Sequence, residues 1–388
     1  MEPIFEDTSI AFHLKSDSEL ERAYFLFRLI ANEPLVRIGT AVTNFAINAH
    51  LPVEGLIRAT VFDHFCGGVN EADCLKIIDR MFEQGVCSIL DYSVEGKKEE
   101  AQFDHALEKT LQVLDFVKEK NAIPFAVFKP TGFGRIELYE KVGANETLTE
   151  AEQEEWERII QRYHKVCRKA HDLEVALLID AEESWMQDAA DDLALQMMAS
   201  YNKNKPIVFN TAQMYRWDRM DYLKELNAQA EARDFHIGIK VVRGAYMEKE
   251  NDRAEAMGLK SPICHSKEAT DANFDAAVHF MLGHLDRFAV FVGSHNEASS
   301  YQVIEQLETL GRAKDDPRIW FGQLYGMSDH ISFNLAHHGY NVAKYVPYGP
   351  VRDVMPYLIR RAEENTSVAG QTSRELELLK QEKARRKL

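Results

Sequence analysis

Polar side chains that can take part in chemistry stand at or just after the ends of eight short apolar runs. In chain order they are Asp91, Lys129, Asp180, Asn210 with Gln213, Arg243 with Tyr246, His295 with Asn296, Gln323 with Tyr325, and Tyr345. One polar residue after an apolar run is often only the start of a loop. If the runs are parallel strands of one barrel, their carboxyl ends meet at one mouth, and the repeated placement predicts an active site there.

Lys129 allows three interpretations, and the segment 128–134, Phe-Lys-Pro-Thr-Gly-Phe-Gly, does not separate them. A lysine at a barrel mouth can be a Schiff-base nucleophile. It can also be a fixed cation for a carboxylate or phosphate, or a structural partner of Asp180. The pair Gly132-x-Gly134 lacks the rest of a dinucleotide fingerprint, so any dinucleotide must bind without a Rossmann unit.

Two adjacent arginines, Arg360 and Arg361, lie in a segment with a helical pattern near the end of the chain. On a helix they are about 100° apart, and Glu364 follows one turn later. One interpretation is a solvated face with weak ion pairs. The other is a bidentate clamp for a carboxylate, which neighbouring guanidinium groups form well. The residues alone leave both interpretations open.

The scaffold that must position these groups repeats a strand and a helix eight times. The apolar runs begin near residues 88, 125, 176, 207, 237, 289, 319 and 341, and amphipathic segments separate them. Near-continuous apolar strands alternating with helices indicate a buried parallel sheet. Eight units over about 280 residues predict a closed (βα)8 barrel of the α/β class, with an open doubly wound sheet as the alternative.

Helical patterns set the predicted domain boundaries. Residues 1–85 show no strand-like alternation, which predicts an N-terminal helical arm. We expect residues 86–370 to form the catalytic barrel and residues 371–388 to form a basic helical tail. Two helix starts match the capping box, in which a hydroxyl and the side chain three residues later satisfy each other's backbone amides. The two predicted boxes are Thr149 with Glu152 and Ser184 with Gln187.

Composition excludes several classes of protein. The 62 acidic and 46 basic residues give a net charge of -16, which disfavours nucleic acid as a partner because phosphate contacts dominate that affinity. The five cysteines form no CxxC pair and the histidines form no HExxH motif, so we expect no metal site and a reducing compartment. The chain has no signal-like segment and no apolar stretch of about 18 residues, which predicts a cytoplasmic protein.

Several of these segments together resemble the proline dehydrogenase family over about residues 60–370. They are, in order, 128–132 Phe-Lys-Pro-Thr-Gly, 178–183 Leu-Ile-Asp-Ala-Glu-Glu, 209–213 Phe-Asn-Thr-Ala-Gln, 240–246 Lys-Val-Val-Arg-Gly-Ala-Tyr, 294–296 Ser-His-Asn, 322–327 Gly-Gln-Leu-Tyr-Gly-Met, 345–349 Tyr-Val-Pro-Tyr-Gly and 360–365 Arg-Arg-Ala-Glu-Glu-Asn. The resemblance implies a distorted TIM-type barrel with an FAD at its mouth and a helical N-terminal arm.

The resemblance also implies a role for each matching residue. The implied catalytic residues are Lys129, Asp180, Tyr345, Arg360 and Arg361. Proline would be bound by Lys129, Tyr246, Tyr345, Arg360 and Arg361, with Glu95 pairing with Arg360 as a gate. FAD would be bound by Asn210, Gln213, Lys240, Arg243, Gly244, Tyr246, His295, Asn296 and Glu364.

The implied reaction is the oxidation of L-proline to Δ1-pyrroline-5-carboxylate, with hydride transfer from proline C5 to N5 of FAD. Electrons would pass to a quinone, which requires a transient contact with a membrane surface. Two other classes remain as alternatives: a Schiff-base lyase or aldolase that uses Lys129, and a non-catalytic amino-acid sensor.

Overall fold

The eight apolar runs form eight strands that pair in chain order and close into a parallel barrel. The strands are β1 Val86–Tyr92, β2 Phe125–Phe128, β3 Ala176–Ile179, β4 Val208–Gln213, β5 Ile237–Val242, β6 Phe288–Gly293, β7 Ile319–Leu324 and β8 Val342–Tyr348. This confirms the predicted (βα)8 barrel. The alternative of an open doubly wound sheet is wrong, because β1 and β8 pair along their whole length. The computed structural model describes residues 3–32, 34, 54–92, 99–367 and 371–388.

The chain divides into two compact units. The first unit comprises Met1–Glu95 and Gly322–Leu388, and the second comprises Gly96–Phe321. The predicted boundaries of arm, barrel and tail were drawn from patterns in the sequence and not from spatially compact units. They therefore stay a prediction.

Aromatic side chains pack between the strands of the second unit. The ring of Phe125 meets the rings of Phe209, Phe291 and Trp320 edge to face, with centroids 5.1 to 5.9 Å apart. Gly238 on β5 makes room for this packing, because a Cβ there would lie 2.5 Å from the Phe209 ring. The described helices of this unit are Glu100–Val117, Ile136–Gly143, Glu150–Asp172, Ser184–Tyr201, Arg219–Arg233, Met247–Met257, Lys267–Gly283 and Glu297–Thr309.

The helix Glu150–Asp172 begins with the predicted capping box. The Thr149 hydroxyl accepts from the backbone N–H of Glu152, whose carboxylate accepts from the backbone N–H of Thr149. This prediction is confirmed.

The capping box predicted at Ser184 and Gln187 is wrong. Ser184 is the first residue of its helix rather than the cap, and its hydroxyl donates to Glu250 at 2.6 Å. Gln187 instead accepts from the backbone N–H of Glu182 at 3.0 Å. The local pattern fails because both side chains have stronger partners elsewhere in the unit.

Helices from both ends of the sequence pack together in the first unit. Its described helices are Thr8–Ala11, Asp17–Ile30, Glu54–Ile57, Asp63–Phe65, Glu71–Phe82, Asp329–His337, Met355–Ser367 and Gln371–Arg386, with a π-helical turn at Arg58–Phe62. Basic side chains of the last helix form ion pairs within the protein. Lys383 pairs with Glu21, and Arg386 pairs with Asp17. The tail is therefore docked on the arm along this helix.

None of the described helices combines the length and the apolarity that crossing a bilayer requires.

Candidate active site

An ion cluster at the ends of β2, β3 and β5 joins three of the predicted site residues. Lys129 directly follows β2, Asp180 directly follows β3, and Lys240 lies within β5. The Asp180 carboxylate bridges the two lysines: Oδ2 lies 3.3 Å from Nζ of Lys129, and Oδ1 accepts a hydrogen bond from Nζ of Lys240. The pairing of Lys129 with Asp180, one of the three interpretations, is thus present in the fold.

Two ammonium groups and one carboxylate make up this cluster. Burial opposes ionisation of Asp180, but the ammonium groups of Lys240 and Lys129 hold its pKa below the ordinary value. Two cationic side chains at the same strand ends favour an anionic ligand, such as a carboxylate, near them.

Glu182 fixes the turn that begins at Lys129. Its carboxylate accepts from the backbone N–H of Thr131 at 2.8 Å and from the Thr131 hydroxyl at 2.6 Å. Burial raises the pKa of Glu182 to about 7, although the hydrogen bonds from Thr131 oppose this. Sequence reasoning did not assign Glu182 to the site. Its position two residues after Asp180 was the only available signal.

Arg243 organises a second group of residues beyond the end of β5. Its Nε donates to Asp271 at 2.7 Å, and its two terminal nitrogens donate to Ser294 and Ser299 at 3.0 and 2.9 Å. The guanidinium carbon lies 4.3 Å from the centre of the Phe274 ring. The cation is therefore held in one orientation beside the loop that follows β6.

This loop leads into the N-terminus of the helix Glu297–Thr309. Asn296 is the N-cap, and its side-chain oxygen accepts from the backbone N–H of Ser299 at 3.2 Å. His295 precedes it and is partly exposed. The N-terminus of a helix favours an anion, because its first amides and its dipole point toward that end. Together with Arg243, the loop has the chemistry to bind a phosphate-bearing ligand.

Gly244 needs to be glycine. Its φ is +139°, and a Cβ would lie 2.5 Å from the ring of Tyr215. The backbone N–H of Tyr215 donates to the carbonyl of Arg243 at 2.7 Å, which ties β4 and β5 together at this end. Tyr246, two residues later, is partly exposed. Because Gly244 has no side chain, the backbone between Arg243 and Tyr246 can pack closely against the Tyr215 ring.

The two predicted residues of β4 lie in different surroundings. Asn210 points toward the helices, where its amide nitrogen lies 2.8 Å from Asp191 and 2.9 Å from the Tyr222 hydroxyl. This placement favours a structural role for the Asn210 side chain over contact with a cofactor. Gln213 is buried at the strand end, and among the described residues its side-chain oxygen has no hydrogen-bond partner.

Tyr345 lies buried on β8 in the first unit. Side chains alternate along a strand, so Tyr345 faces away from Lys344, whose ammonium contacts Asp329 of the surrounding helices at 2.8 Å. The carbonyl of Tyr345 accepts from the backbone N–H of Tyr325 at 2.8 Å. This bond fixes the strand at the position of the phenol.

The two arginines lie on the helix Met355–Ser367. Arg361 is buried and its guanidinium carbon lies 5.2 Å from the centre of the Tyr357 ring, whereas Arg360 is partly exposed. The stacking favours a held side chain over a solvated one at Arg361. Glu95 and the side chain of Glu364 lie outside the described residues.

Metal-ligating side chains do not cluster in the part of the chain that the structure describes. There, no group of three or more His, Cys, Asp or Glu side chains has an arrangement that could hold a metal ion.

A closed β/α barrel with a buried carboxylate between two lysines at its strand ends has the architecture of a barrel enzyme, in which the active site lies at those ends. A family model described as proline dehydrogenase matches residues 74–374. The chain belongs to the proline dehydrogenase family of enzymes.

Individual relatives agree with this assignment. The carbapenem antibiotics biosynthesis protein CarD of Pectobacterium carotovorum subsp. carotovorum is 35% identical over 86% of this chain and 86% of its own length. Mitochondrial proline dehydrogenase 1 of Arabidopsis thaliana is 30% identical over 95% of this chain and 83% of its own length.

A solved structure supports the fold. The structure of proline utilization A (PutA) from Bdellovibrio bacteriovorus, inactivated by N-propargylglycine, superimposes with a TM-score of 0.73 at 19% identity over 95% of this chain. This chain spans only 39% of the PutA chain. At that identity the likeness concerns the barrel and not its chemistry.

Proposed function

We propose that this protein oxidises L-proline to Δ1-pyrroline-5-carboxylate with FAD as cofactor and a quinone as the final electron acceptor. The observation that carries the proposal is the cluster of Lys129, Asp180 and Lys240, together with membership of the family. Its two lysine side chains at the strand ends suit a substrate that is a small carboxylate.

The residues of the second unit fit FAD. Gln213 presents a buried amide oxygen without a partner among the described residues, which suits a ring that offers an N–H donor. Arg243 and the helix that begins after Asn296 provide a cation and backbone amides for a pyrophosphate. Gly244, Tyr246 and His295 would complete the cofactor contacts, as would Lys240, Asn296 and the Asn210 backbone. When bound, FAD supplies an N5 atom that accepts the hydride from proline C5.

The chain's own residues would bind and orient the substrate. Arg360, Arg361 and Lys129 would hold the carboxylate, because charge-assisted hydrogen bonds are stronger than neutral ones. Asp180 would fix the direction of Lys129, with which it is paired. Tyr345 and Tyr246 would pack against the proline ring. Glu95 would close the site by pairing with Arg360, and Glu364 would contact the cofactor or Arg361.

The Schiff-base alternative receives less support from the site. A lysine nucleophile must be a neutral amine when it attacks a carbonyl. Lys129 instead lies beside the ionised carboxylate of Asp180, which stabilises its ammonium form. A bound cation is therefore the role that the surroundings of Lys129 favour.

A quinone acceptor bears on location. We propose a cytoplasmic enzyme that contacts a membrane surface transiently to deliver its electrons. The arm, barrel and tail of residues 1–85, 86–370 and 371–388 are proposed as its domains. Because Lys383 and Arg386 pair with acidic residues of the arm, the tail's charge is partly neutralised within the protein.

The first experiment is the visible spectrum of the purified protein, followed by anaerobic addition of L-proline. A flavin spectrum that bleaches with proline is the expected result. A flavin spectrum that persists would keep the cofactor and remove proline as the substrate. A colourless protein after incubation with FAD would remove the flavin, and borohydride trapping of Lys129 with a carbonyl substrate would then be the next test.

A further inference from the structure

The helix that carries Arg360 and Arg361 rests on the N-terminal arm. One buried apolar cluster, here called the platform, combines residues of this helix and the turn before it with residues of the arm and of the loop after β7. Its members are Leu26, Ile30, Ile57, Phe62, Phe65, Cys66, Met327, Val351, Val354, Met355, Tyr357 and Leu358. The arm residues that form the platform, Leu26 to Cys66, precede residue 74, where the match to the family model begins.

Tyr357 connects the platform to Arg361. Its ring is 6% exposed and belongs to the platform, while the guanidinium carbon of Arg361 lies 5.2 Å from the ring centre. The two residues are four apart on one helix, so they lie on the same side of it. The Arg361 guanidinium therefore contacts a ring that belongs to the same buried cluster as the arm residues.

The arm helix Asp17–Ile30 packs against apolar residues on a second side as well, which restricts its movement beneath the platform. Leu20, Ala23 and Phe27 pack against Leu378 and Leu379 of the last helix. Its exposed side carries apolar residues as well: Phe25 is 62% exposed and Leu29 is 39% exposed.

Buried ion pairs fix the start of the arm helix and the loop after β7. Lys15, just before the helix, lies 3.0 Å from Asp329, and the same carboxylate lies 2.8 Å from Lys344 of β8. The Lys344 ammonium also donates to the carbonyl of Met327 at 2.6 Å. Met327 is the platform member from this loop. The start of the arm helix and the loop after β7 are thus linked through Lys344 and the Asp329 carboxylate.

We propose that Leu26 and Ile30 of the arm are positioning residues for substrate binding, acting through Tyr357 on Arg361. This rests on the proposed function, in which Arg361 binds the proline carboxylate. The arm would serve the substrate site although its side chains need not touch substrate or cofactor. Loss of its support should weaken recognition of the carboxylate and leave cofactor binding unchanged.

The test compares Leu26→Ala with Leu29→Ala in the full-length holoenzyme. Both changes remove the same atoms from the same helix, but only Leu26 belongs to the platform. The substrates are L-proline and pyrrolidine, which has the same ring without the carboxylate. Leu26→Ala should lower kcat/KM for proline on the order of tenfold, mainly through KM, because small displacements of a binding group have large effects. Pyrrolidine turnover and flavin content should not change.

Two further measurements keep the test decisive. Leu26→Met preserves the side-chain volume and should restore the wild-type KM, and Leu26→Val replaces Leu26→Ala if the alanine variant does not fold. Hydrogen exchange of the helix Met355–Ser367 should be faster in the Leu26 variant and unchanged in Leu29→Ala, whatever the substrate proves to be.

The outcomes separate this inference from the proposed function. Equal losses with proline and pyrrolidine, or the same effect from Leu29→Ala, would overturn the positioning role. Unchanged hydrogen exchange in the Leu26 variant would overturn it independently of activity. A wild-type enzyme that does not oxidise proline would instead count against the proposed function, while the exchange measurement would still decide whether the arm supports the helix.

Discussion

Replacing Glu182 with glutamine should remove a pH dependence of stability. The pKa of Glu182 rises from 4.5 to about 7 on folding, chiefly because the carboxyl group is buried. At about 1.4 kcal/mol for each tenfold change in the dissociation constant, this corresponds to roughly 3 kcal/mol. The native state binds the proton more tightly than the unfolded state, so the contribution is complete below pH 4.5 and is lost as the pH rises through 7. Most of this loss, roughly 2–3 kcal/mol, should fall between pH 5 and pH 8.

Urea unfolding at several pH values between 5 and 8 measures this loss. Glu182→Gln cannot titrate, so its free energy of unfolding should fall less steeply with pH than that of the wild type, by the amount above. Glu154→Gln makes the same change at an exposed position on the helix Glu150–Asp172 and should retain the wild-type slope. Parallel curves for the wild type and Glu182→Gln would refute the reasoning, since burial of this carboxyl would then have no effect on its proton affinity.

Four other substitutions test the proposed site and the backbone that supports it. Arg360→Ala and Arg361→Ala should each raise KM for proline by about 10- to 100-fold, since each removes a charge-assisted hydrogen bond worth about 1.5–3 kcal/mol; steady-state kinetics with normal KM values in both would rule out the carboxylate clamp. We expect the Tyr345 phenol to crowd a hydroxyl on the substrate ring, so that the enzyme prefers proline to hydroxyproline; Tyr345→Ser should narrow this preference, and an unchanged ratio of the two kcat/KM values would refute that role. Gly244→Ala should cost on the order of 1–3 kcal/mol in urea unfolding, because the new methyl group meets an aromatic ring 2.5 Å away at a φ of +139°. Gly258→Ala is the control, because the added methyl group there would meet no atom within 4 Å. Equal losses of unfolding free energy in the two variants would show that the contact with the Tyr215 ring is unimportant.

The barrel could be predicted from the sequence because its signal is local. Each strand is a short apolar run, and each run is followed by a helix with one apolar face. Strand order followed from the handedness and short connections of such units. The polar residues at the strand ends were visible for the same reason, which is why Lys129, Asp180 and Arg243 could be named in advance.

What the sequence could not supply depends on contacts between distant segments. Asn210 and Gln213 both belong to β4, but only the packed fold reveals that the Asn210 side chain is bonded to the helices. The box at Ser184 failed because Glu250, 66 residues later, binds its hydroxyl more favourably than the helix start does. The support of Arg361 by Leu26 likewise joins segments more than 300 residues apart, and no local pattern predicts it.

The pairing of β1 with β8 has a consequence for how the protein is made. Val86 and Val342 are register partners, so roughly 250 residues are synthesised between them. At about 5–20 residues per second, a ribosome needs roughly 13 to 50 seconds to cover that distance. During this interval β1 has an unpaired edge and the arm lacks the C-terminal helix that covers it. The growing chain therefore exposes an unpaired strand edge and apolar surface for many seconds. We expect the yield of folded protein in cells to depend on chaperones and on the rate of translation.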